Sequence, residues 1–268
     1  MKFKLDLHAH TSDFAHLFFT NPNNQNYVTS LLKDLYKKHG NLILGIANFN
    51  DDRRYERFVE ISKKLPKEYK VDYTFEEIFI TISRGHQKIH FIKCDEIQTN
   101  RGHILIVGYE GMIKKRTLNE VLKNAYRNKC IIIVSHPLHN VMIGHFIIKK
   151  ISLTEKEIVK NKKLIDAIEL DPYFPGDWKK VKEISRKEKI PVIAESDAHF
   201  LGEFFKSYFE LGELKFKNPN ILKKSLKKAL KKSIKIHAEK HNFVAGYKHI
   251  LQVFIENFGK KIGLINEK

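Results

Sequence analysis

Cysteine, tryptophan and long apolar runs are all scarce in this sequence of 268 residues. Its two cysteines, Cys94 and Cys130, are too few for a disulfide framework and are expected to be small buried apolar residues of a reduced protein. No run of 18 apolar residues occurs, so no membrane span is predicted. The first residues also lack the apolar core and cleavage site of a secretory signal. These absences favour a cytoplasmic location.

Glycine-rich phosphate loops are absent as well. The sequence contains no Gly-x-x-x-x-Gly-Lys and no Gly-x-Gly-x-x-Gly, which are the loops that cradle nucleotide phosphates. It also lacks the Gly-x-Ser-x-Gly turn that carries the nucleophile of many serine hydrolases. The sequence therefore gives no support to a nucleoside triphosphatase, a dinucleotide-dependent oxidoreductase or a serine hydrolase.

Positive charge, by contrast, is abundant. The chain has 49 lysines and arginines against 31 acidic residues, a formal net charge of +18. Such a charge favours phosphate-bearing partners, including nucleic acid. Few of the basic residues are arginine, however, and lysine pairs between residues 223 and 232 repeat at helical spacing, as on one solvated helix face. Charge alone leaves both interpretations open.

Apolar runs alternate with amphipathic stretches over the first 195 residues, which predicts an α/β protein with crossover helices. Strands are predicted at 3–7, 42–47, 88–92, 103–107, 131–134, 166–170 and 190–194. Helices are predicted at 25–39, 52–64, 118–128, 154–163, 177–189, 218–233 and 241–258. The fourth strand is expected to pair with the third through a hairpin at residues 99–102. The stretch at 70–93 mixes both periodicities, and 138–153 reads as a long connection.

Ligand-type side chains lie at the ends of several predicted strands. His8 and His10 are two residues apart after the first strand, so they share a face. The other ligand-type residues at strand ends are Glu96, His103, His136, Asp197 and His199. Because the carboxyl ends of parallel strands meet on one side of a barrel, we expect all seven to face one pocket. Imidazoles with a few carboxylates suit zinc, manganese, iron or cobalt better than magnesium or calcium.

Four segments, taken in order, resemble the motifs of the polymerase and histidinol phosphatase (PHP) family of metal-dependent phosphoesterases. They are Asp6-Leu7-His8-Ala9-His10-Thr11, the segment Asp95 to Leu105, Ser135-His136-Pro137, and Glu195-Ser196-Asp197-Ala198-His199. The resemblance implies a distorted TIM-like (β/α)7 barrel over residues 1–236. Residues 237–268 would then be a C-terminal helical extension packed on the barrel, with a dimer contact as the alternative role.

The resemblance also implies how the ligands are shared. One metal ion would be bound by His8, His10, Glu96 and Asp197. A second would be bound by Glu96, His103 and His136. Phe49 stands where the family carries a histidine for a third ion, which His199 and His16 would otherwise help to bind. We therefore expect two divalent ions (zinc, manganese or iron) and a third that is weak or absent, with Asn50 or Asp51 as a substitute oxygen ligand.

The implied reaction is hydrolysis of a phosphomonoester or phosphodiester by a metal-activated hydroxide. Asp197 and His199 are the candidate catalytic residues, and His199 or His16 would protonate the leaving oxygen. Arg101 and Arg116 are candidates to bind the substrate phosphate, with surface placement as the alternative. Glu169, at the end of a strand, is expected to support the metal ligands from behind.

Two alternatives to a phosphatase remain open from the sequence. The first is a nuclease acting on nucleic-acid ends, which the net charge of +18 favours. The second is a non-catalytic, basic nucleic-acid-binding module with a degenerate metal site, which Phe49 favours because it removes one expected ligand.

Overall fold

The computed structural model describes residues 2–11, 25–50, 52–114, 117–138, 141–143, 146–149, 152–173, 177–199, 201–232 and 234–239. His16, Asp51, Arg116 and the helix predicted at 241–258 lie outside these residues. The helices are α1 (Gln25–Tyr36), α2 (Arg54–Ser62), α3 (Leu118–Arg127), α4 (Glu155–Asn161), α5 (Trp178–Glu188) and α6 (Pro219–Leu230). The strands are β1 (Phe3–Ala9), β2 (Asn41–Phe49), β3 (Lys70–Phe75), β4 (Phe79–Arg84), β5 (Gln87–Gln98), β6 (His103–Val107), β7 (Ile131–Val134), β8 (Val141–Ile143), β9 (Phe146–Lys149), β10 (Ala167–Leu170), β11 (Val192–Ala194), β12 (Tyr208–Leu211) and β13 (Lys235–His237).

Eleven of these strands form one sheet, in the order β11-β10-β7-β6-β5-β2-β1-β12-β13, with the β3–β4 hairpin attached to β5. The sheet curls back on itself beyond β11. Ala9 and Ala198 form a parallel bridge, and the backbone N–H of His10 donates to the carbonyl of Ala198 at 2.7 Å. The result is a nearly closed, barrel-like sheet, which confirms the α/β barrel prediction in outline.

The strand count differs from the seven that the resemblance implies. Seven strands (β1, β2, β5, β6, β7, β10 and β11) run round the nearly closed ring, and the β3–β4 and β12–β13 pairs extend the same sheet. The ring is not parallel throughout, because β6 is antiparallel to both of its neighbours, β5 and β7. Strand β13 continues past residue 236, where the extension was expected to begin.

The β5–β6 hairpin forms where the sequence predicts it, with Gln98 opposite His103. The Thr99 hydroxyl accepts the backbone N–H groups of Arg101 and Gly102 and closes the turn. Gly102 has φ +146°, and a Cβ there would lie 2.4 Å from the carbonyl carbon of Ser152. Only glycine satisfies both the backbone angle and the close approach.

Two stretches that the sequence left undecided form antiparallel strands. Residues 70–84 make the β3–β4 hairpin, which pairs with β5. Residues 138–153 contain the separate β8–β9 pair. Hairpin strands can carry mixed hydrophobic patterns when one or both faces are partly exposed, so periodicity alone does not identify them.

Apolar side chains fill the barrel below the ligand-bearing strand ends. Leu5 and Leu7 of β1 pack with Leu105 and Ile133, and Leu226 of α6 enters the same cluster. Helices α1 and α2 cover the outer face of β2, while α3 and α5 cover the outer face of β6, β7 and β10. Cys94 and Cys130 are buried and free, as the sequence predicts. None of the described helices is long and apolar enough to span a bilayer.

Candidate metal centre

A β-bulge in β1 turns the first two histidines into the barrel. Leu5 and Leu7 point into the barrel core, so regular alternation would send His8 to the outside. Instead, Asp6 pairs with Leu44 and Ala9 with Ile46, which places one extra residue on β1 between these two pairs. Ala9 packs in the outer cluster, and His8 and His10 therefore share the inner side. A bulge re-aims side chains in this way.

Two features of neighbouring strands make room for the bulge and anchor it. Gly45 of β2 lies so close that a Cβ there would be 2.2 Å from the carbonyl oxygen of Leu7. The backbone N–H of Leu7 donates to the Glu195 carboxylate at 2.5 Å. The Asp6 carboxylate in turn accepts from the backbone N–H groups of Ser196 and Phe205 at 3.0 and 2.8 Å. The segment after β11 thus fixes the end of β1.

On the other strands, regular alternation delivers the ligands. Cys94 and Leu105 lie in the barrel core, so Glu96 and His103, two residues away from each, point to the same side above it. The residues after the strands need unusual backbone angles, since His136 has φ +45° and Asp197 has φ +47°. Non-glycine residues with positive φ are uncommon and are frequent at functional sites.

The two oxygens of Glu96 face two different groups of imidazoles. Its Oε2 lies 3.5 Å from Nε2 of His8 and 3.3 Å from Nε2 of His10. Its Oε1 lies 2.8 Å from Nδ1 of His103 and 3.2 Å from Nε2 of His136. The carboxylate therefore sits between two potential ligand groups on the inner side of the sheet.

Asp197 and His199 complete the cluster on its other side. Asp197 Oδ1 lies 3.5 Å from Nε2 of both His8 and His10, and 3.4 Å from Nε2 of His199. The rings of His10 and His199 stack with centroids 4.7 Å apart. The structure thus brings together, among the described residues, all seven ligand-type side chains found at the strand ends: His8, His10, Glu96, His103, His136, Asp197 and His199.

The chemistry of this donor set fits transition-metal ions. Four overlapping groups of three buried side chains have their donor atoms within 4.8 Å of one another: His8, His10 and Glu96; Glu96, His103 and His136; His8, His136 and Asp197; and His10, Asp197 and His199. Asp197 Oδ1 and His103 Nε2 are buried and have no hydrogen-bond partner among the described residues. Buried polar atoms are normally satisfied, so both atoms are placed to bind an ion.

The cluster strongly shifts its own ionisation. Burial acts to raise the pKa of Glu96, but the charges of His103 and His8 outweigh it and hold that pKa well below its usual range. Burial likewise acts to raise the pKa of Asp197, but the charges of His8 and His136 outweigh it and hold that pKa well below its usual range. Both carboxylates are therefore anionic, which is the form that binds metal.

Two further carboxylates hold histidine rings from behind. Glu169 lies 3.2 Å from Nδ1 of His8, and Asp171 lies 3.2 Å from Nδ1 of His136. Both are buried, and in both rings this nitrogen is the one away from Glu96. Carboxylates so placed orient a histidine ligand and select its tautomer. Asp171 was not singled out from the sequence, although the spacing Glu169-Leu170-Asp171 at a strand end was the signal for both.

Arg54 is a residue near the cluster that the sequence did not single out. It begins α2, and its Nη1 lies 3.0 Å from Nδ1 of His10. Its guanidinium also pairs with the Asp52 carboxylate, and its side chain is only 11% exposed. The sequence signal was weak, because Arg53 and Arg57 are equally basic neighbours of Arg54 at the start of a charged helix.

Arg101, a phosphate-binding candidate from the sequence, lies at the surface. The Arg101 side chain is 59% exposed, with its Nε 3.6 Å from the Glu157 carboxylate. The Phe49 ring packs edge-on to His103, with centroids 5.6 Å apart. The Asn50 amide oxygen accepts the backbone N–H of Gln98 at 3.0 Å. His16, Asp51 and Arg116 lie outside the described residues.

Two solved structures share this fold. PsfC from Pseudomonas syringae PB-5123 superposes with a TM-score of 0.59 and 10% identity, over 96% of this chain and 98% of that one. Endonuclease Q, in a complex with a 27-mer duplex substrate that has an abasic lesion at the active site, gives a TM-score of 0.52 and 18% identity. That match covers 88% of this chain but 58% of the length of Endonuclease Q. At these identities the likeness concerns the fold alone.

No protein-family model matches the chain, and no curated protein matches it in sequence. The function is therefore argued from the geometry of the cluster.

Proposed function

We propose that this chain is a metal-dependent phosphoesterase that hydrolyses a phosphomonoester or a phosphodiester. The observation that carries the proposal is Glu96, whose Oε2 faces His8 and His10 while its Oε1 faces His103 and His136. A carboxylate between two such groups would supply one ligand oxygen to each of two ions, and two-metal phosphoesterases use paired ions of this kind for in-line displacement.

The proposed centre contains two divalent ions of zinc, manganese or iron. One would be bound by His8, His10, Glu96 and Asp197, and the other by Glu96, His103 and His136. A third ion, which His199 and His16 would help to bind, is weak or absent in this proposal, since Phe49 supplies no ligand. Bound ions of this kind lower the pKa of a water towards about 7 and neutralise phosphate oxygens.

The chain's own residues then orient and transfer protons. Glu169 keeps the His8 ring aimed at Glu96, and Asp171 does the same for His136. Asp197 is held anionic, and its Oδ1 lies 3.4 Å from Nε2 of His199. His199, 8% exposed, is the group that donates a proton to the leaving oxygen.

The test is a double substitution, His8→Ala with His10→Ala, compared with His86→Ala, which removes an exposed histidine of the β4–β5 turn. We expect about two ions per wild-type chain by elemental analysis, and hydrolysis of p-nitrophenyl phosphate or bis(p-nitrophenyl) phosphate. The double variant should lose both properties, and His86→Ala should keep both. Full hydrolysis by the double variant would exclude this centre as the active site. Less than one ion per wild-type chain, after growth with manganese, iron and zinc, would favour a non-catalytic module.

Nucleic acid is the second candidate substrate, and two observations favour it. The net charge is +18, and the fold is shared with Endonuclease Q, whose structure contains a 27-mer duplex substrate with an abasic lesion. Counterion release makes binding to nucleic acid steeply dependent on salt. A nuclease should therefore lose about a thousandfold in affinity for an oligonucleotide between about 50 and 200 mM salt. Hydrolysis of a small phosphomonoester with little dependence on salt would favour a phosphatase instead.

A further inference from the structure

The short connection between β2 and α2 places a guanidinium against the metal centre. Asn50 and Arg53 both have positive φ, +56° and +55°, which non-glycine residues rarely adopt. The Asp52 carboxylate accepts the backbone N–H of Phe49 at 2.9 Å and also pairs with Arg54. This strained turn fixes the Arg54 side chain beside His10. Strain of this kind is concentrated at functional sites.

We propose that Arg54 binds the phosphate oxygens of the substrate. Its charge is permanent, and its planar array of donors matches the oxygens of a phosphate. It contacts Nδ1 of His10, whereas Nε2 of the same ring faces Glu96 and Asp197. The guanidinium thus lies beside the ligand cluster without occupying it. This inference rests on the proposed function, because it assigns the anion-binding group of that site.

The contact with His10 couples anion binding to metal binding. A neutral imidazole carries one N–H, so a ring whose Nδ1 accepts from Arg54 has its proton on Nε2. If Nε2 were a metal ligand, the proton would reside on Nδ1 and would face the N–H of Arg54. An anion that accepts from both N–H groups would relieve that contact. We therefore expect Arg54 to contribute more to phosphate binding in the metal-loaded protein than in the metal-free protein.

Charge points to the same ligand. Arg54 has Asp52 as an anionic partner. Divalent ions held by the ligand groups that include His10 would add positive charge close to the guanidinium. In a site that is largely buried, such repulsion is weakly screened. The negative charge of a phosphate placed between the ions and Arg54 would offset this repulsion. Arg101 lacks this environment, since it is 59% exposed and 3.6 Å from Glu157.

The experiment compares Arg54→Met and Arg54→Lys with Arg127→Met, which removes an exposed arginine at the end of α3. Each protein is loaded with manganese or zinc, its metal content is determined, and the binding of inorganic phosphate is measured by calorimetry with and without metal. We expect Arg54→Met to keep its ions and to bind phosphate at least tenfold more weakly when loaded, as loss of a charged hydrogen bond implies. Arg54→Lys should recover part of the affinity, and Arg127→Met should match the wild type.

Unchanged phosphate affinity in a loaded Arg54→Met protein would overturn the inference. So would loss of the ions in both Arg54 variants, which would show a structural role, or the gain of an ion without a change in phosphate affinity, which would show that Arg54 only excludes metal. A failure of the proposed function can be distinguished from a failure of this inference. If the loaded wild type binds phosphate through Arg54 but hydrolyses no phosphate ester, the anion site stands and the phosphoesterase does not.

Discussion

The carboxylate of Glu195 accepts the backbone N–H of Leu7 at 2.5 Å, across 188 positions of sequence. Leu7 lies within the bulge of β1, next to the first histidine of the cluster. The hydrogen bond therefore joins the strand that carries His8 and His10 to the segment that carries Asp197 and His199. The two halves of the centre are aligned by a residue that is itself outside the four potential ligand groups.

Replacing Glu195 tests this alignment. Glu195→Ala leaves the buried N–H of Leu7 without an acceptor, which costs about 1–3 kcal/mol. We expect a matching fall in the free energy of unfolding, measured by urea titration, together with weaker metal binding. Glu195→Gln keeps a carbonyl oxygen and should retain most of both. Equal losses in the two variants would show that the charge, and not the hydrogen bond, matters.

Gly45 is the second residue on which the bulge depends. A Cβ there would lie 2.2 Å from the carbonyl oxygen and 2.6 Å from the carbonyl carbon of Leu7, both backbone atoms. Gly45→Ala must therefore displace β1, and we expect it to lower the free energy of unfolding by about 1–3 kcal/mol and to reduce the bound metal. Gly212→Ala is the matched control, since a Cβ there meets nothing within 4 Å. Similar behaviour of the two variants would argue against the close approach.

Glu96→Gln tests whether the Glu96 carboxylate is needed for the centre to bind two ions rather than one. The amide keeps the size of the side chain but loses the charge that holds two cations close together. We expect the metal content to fall from about two ions per chain to one or fewer, and the rise in melting temperature on adding metal to shrink. Glu110→Gln, at an exposed site, is the control. Retention of two ions by Glu96→Gln would contradict a bridging role.

His90 should make stability depend on pH, away from the metal centre. Burial, with Lys88 nearby, lowers the pKa of His90 from 6.5 to about 4, and its ring stacks on Phe216 at 3.9 Å. Between these values the unfolded chain binds the proton and the folded chain does not, so stability decreases as pH falls from about 6.5 to about 4. The loss amounts to about 3 kcal/mol.

His90→Phe removes the titrating group and keeps an aromatic ring against Phe216. The pH dependence of unfolding, measured by urea titration at several pH values between 4 and 7, should therefore be flatter in the variant by about that amount. Parallel curves for the two proteins would show that His90 titrates normally in the folded state.

Much of the centre was predictable from the sequence because its ligands follow simple strand periodicity. On β5, Glu96 follows the core residue Cys94 by two positions. On β6, His103 precedes the core residue Leu105 by two positions. Alternation therefore puts each ligand on the same side of the sheet as its core neighbour. Strand ends are where side chains of an α/β barrel converge, so residues far apart in sequence could be assigned to one pocket. The hairpin at residues 99–102 was also predictable, because its turn residues and its two flanking strands are adjacent in sequence.

The sequence by itself determined the ligand types, their order along the chain and the alternation of strands with helices, since these depend on local composition and period. Only the tertiary structure decided that β1 has a bulge and that two strand pairs extend the sheet. Those features depend on partners distant in sequence. Gly45 and Glu195 allow the bulge, and a turn of the chain at residue 50 brings Arg54 to His10. No local pattern encodes such contacts, because a side chain's partner across the barrel leaves no periodic signal.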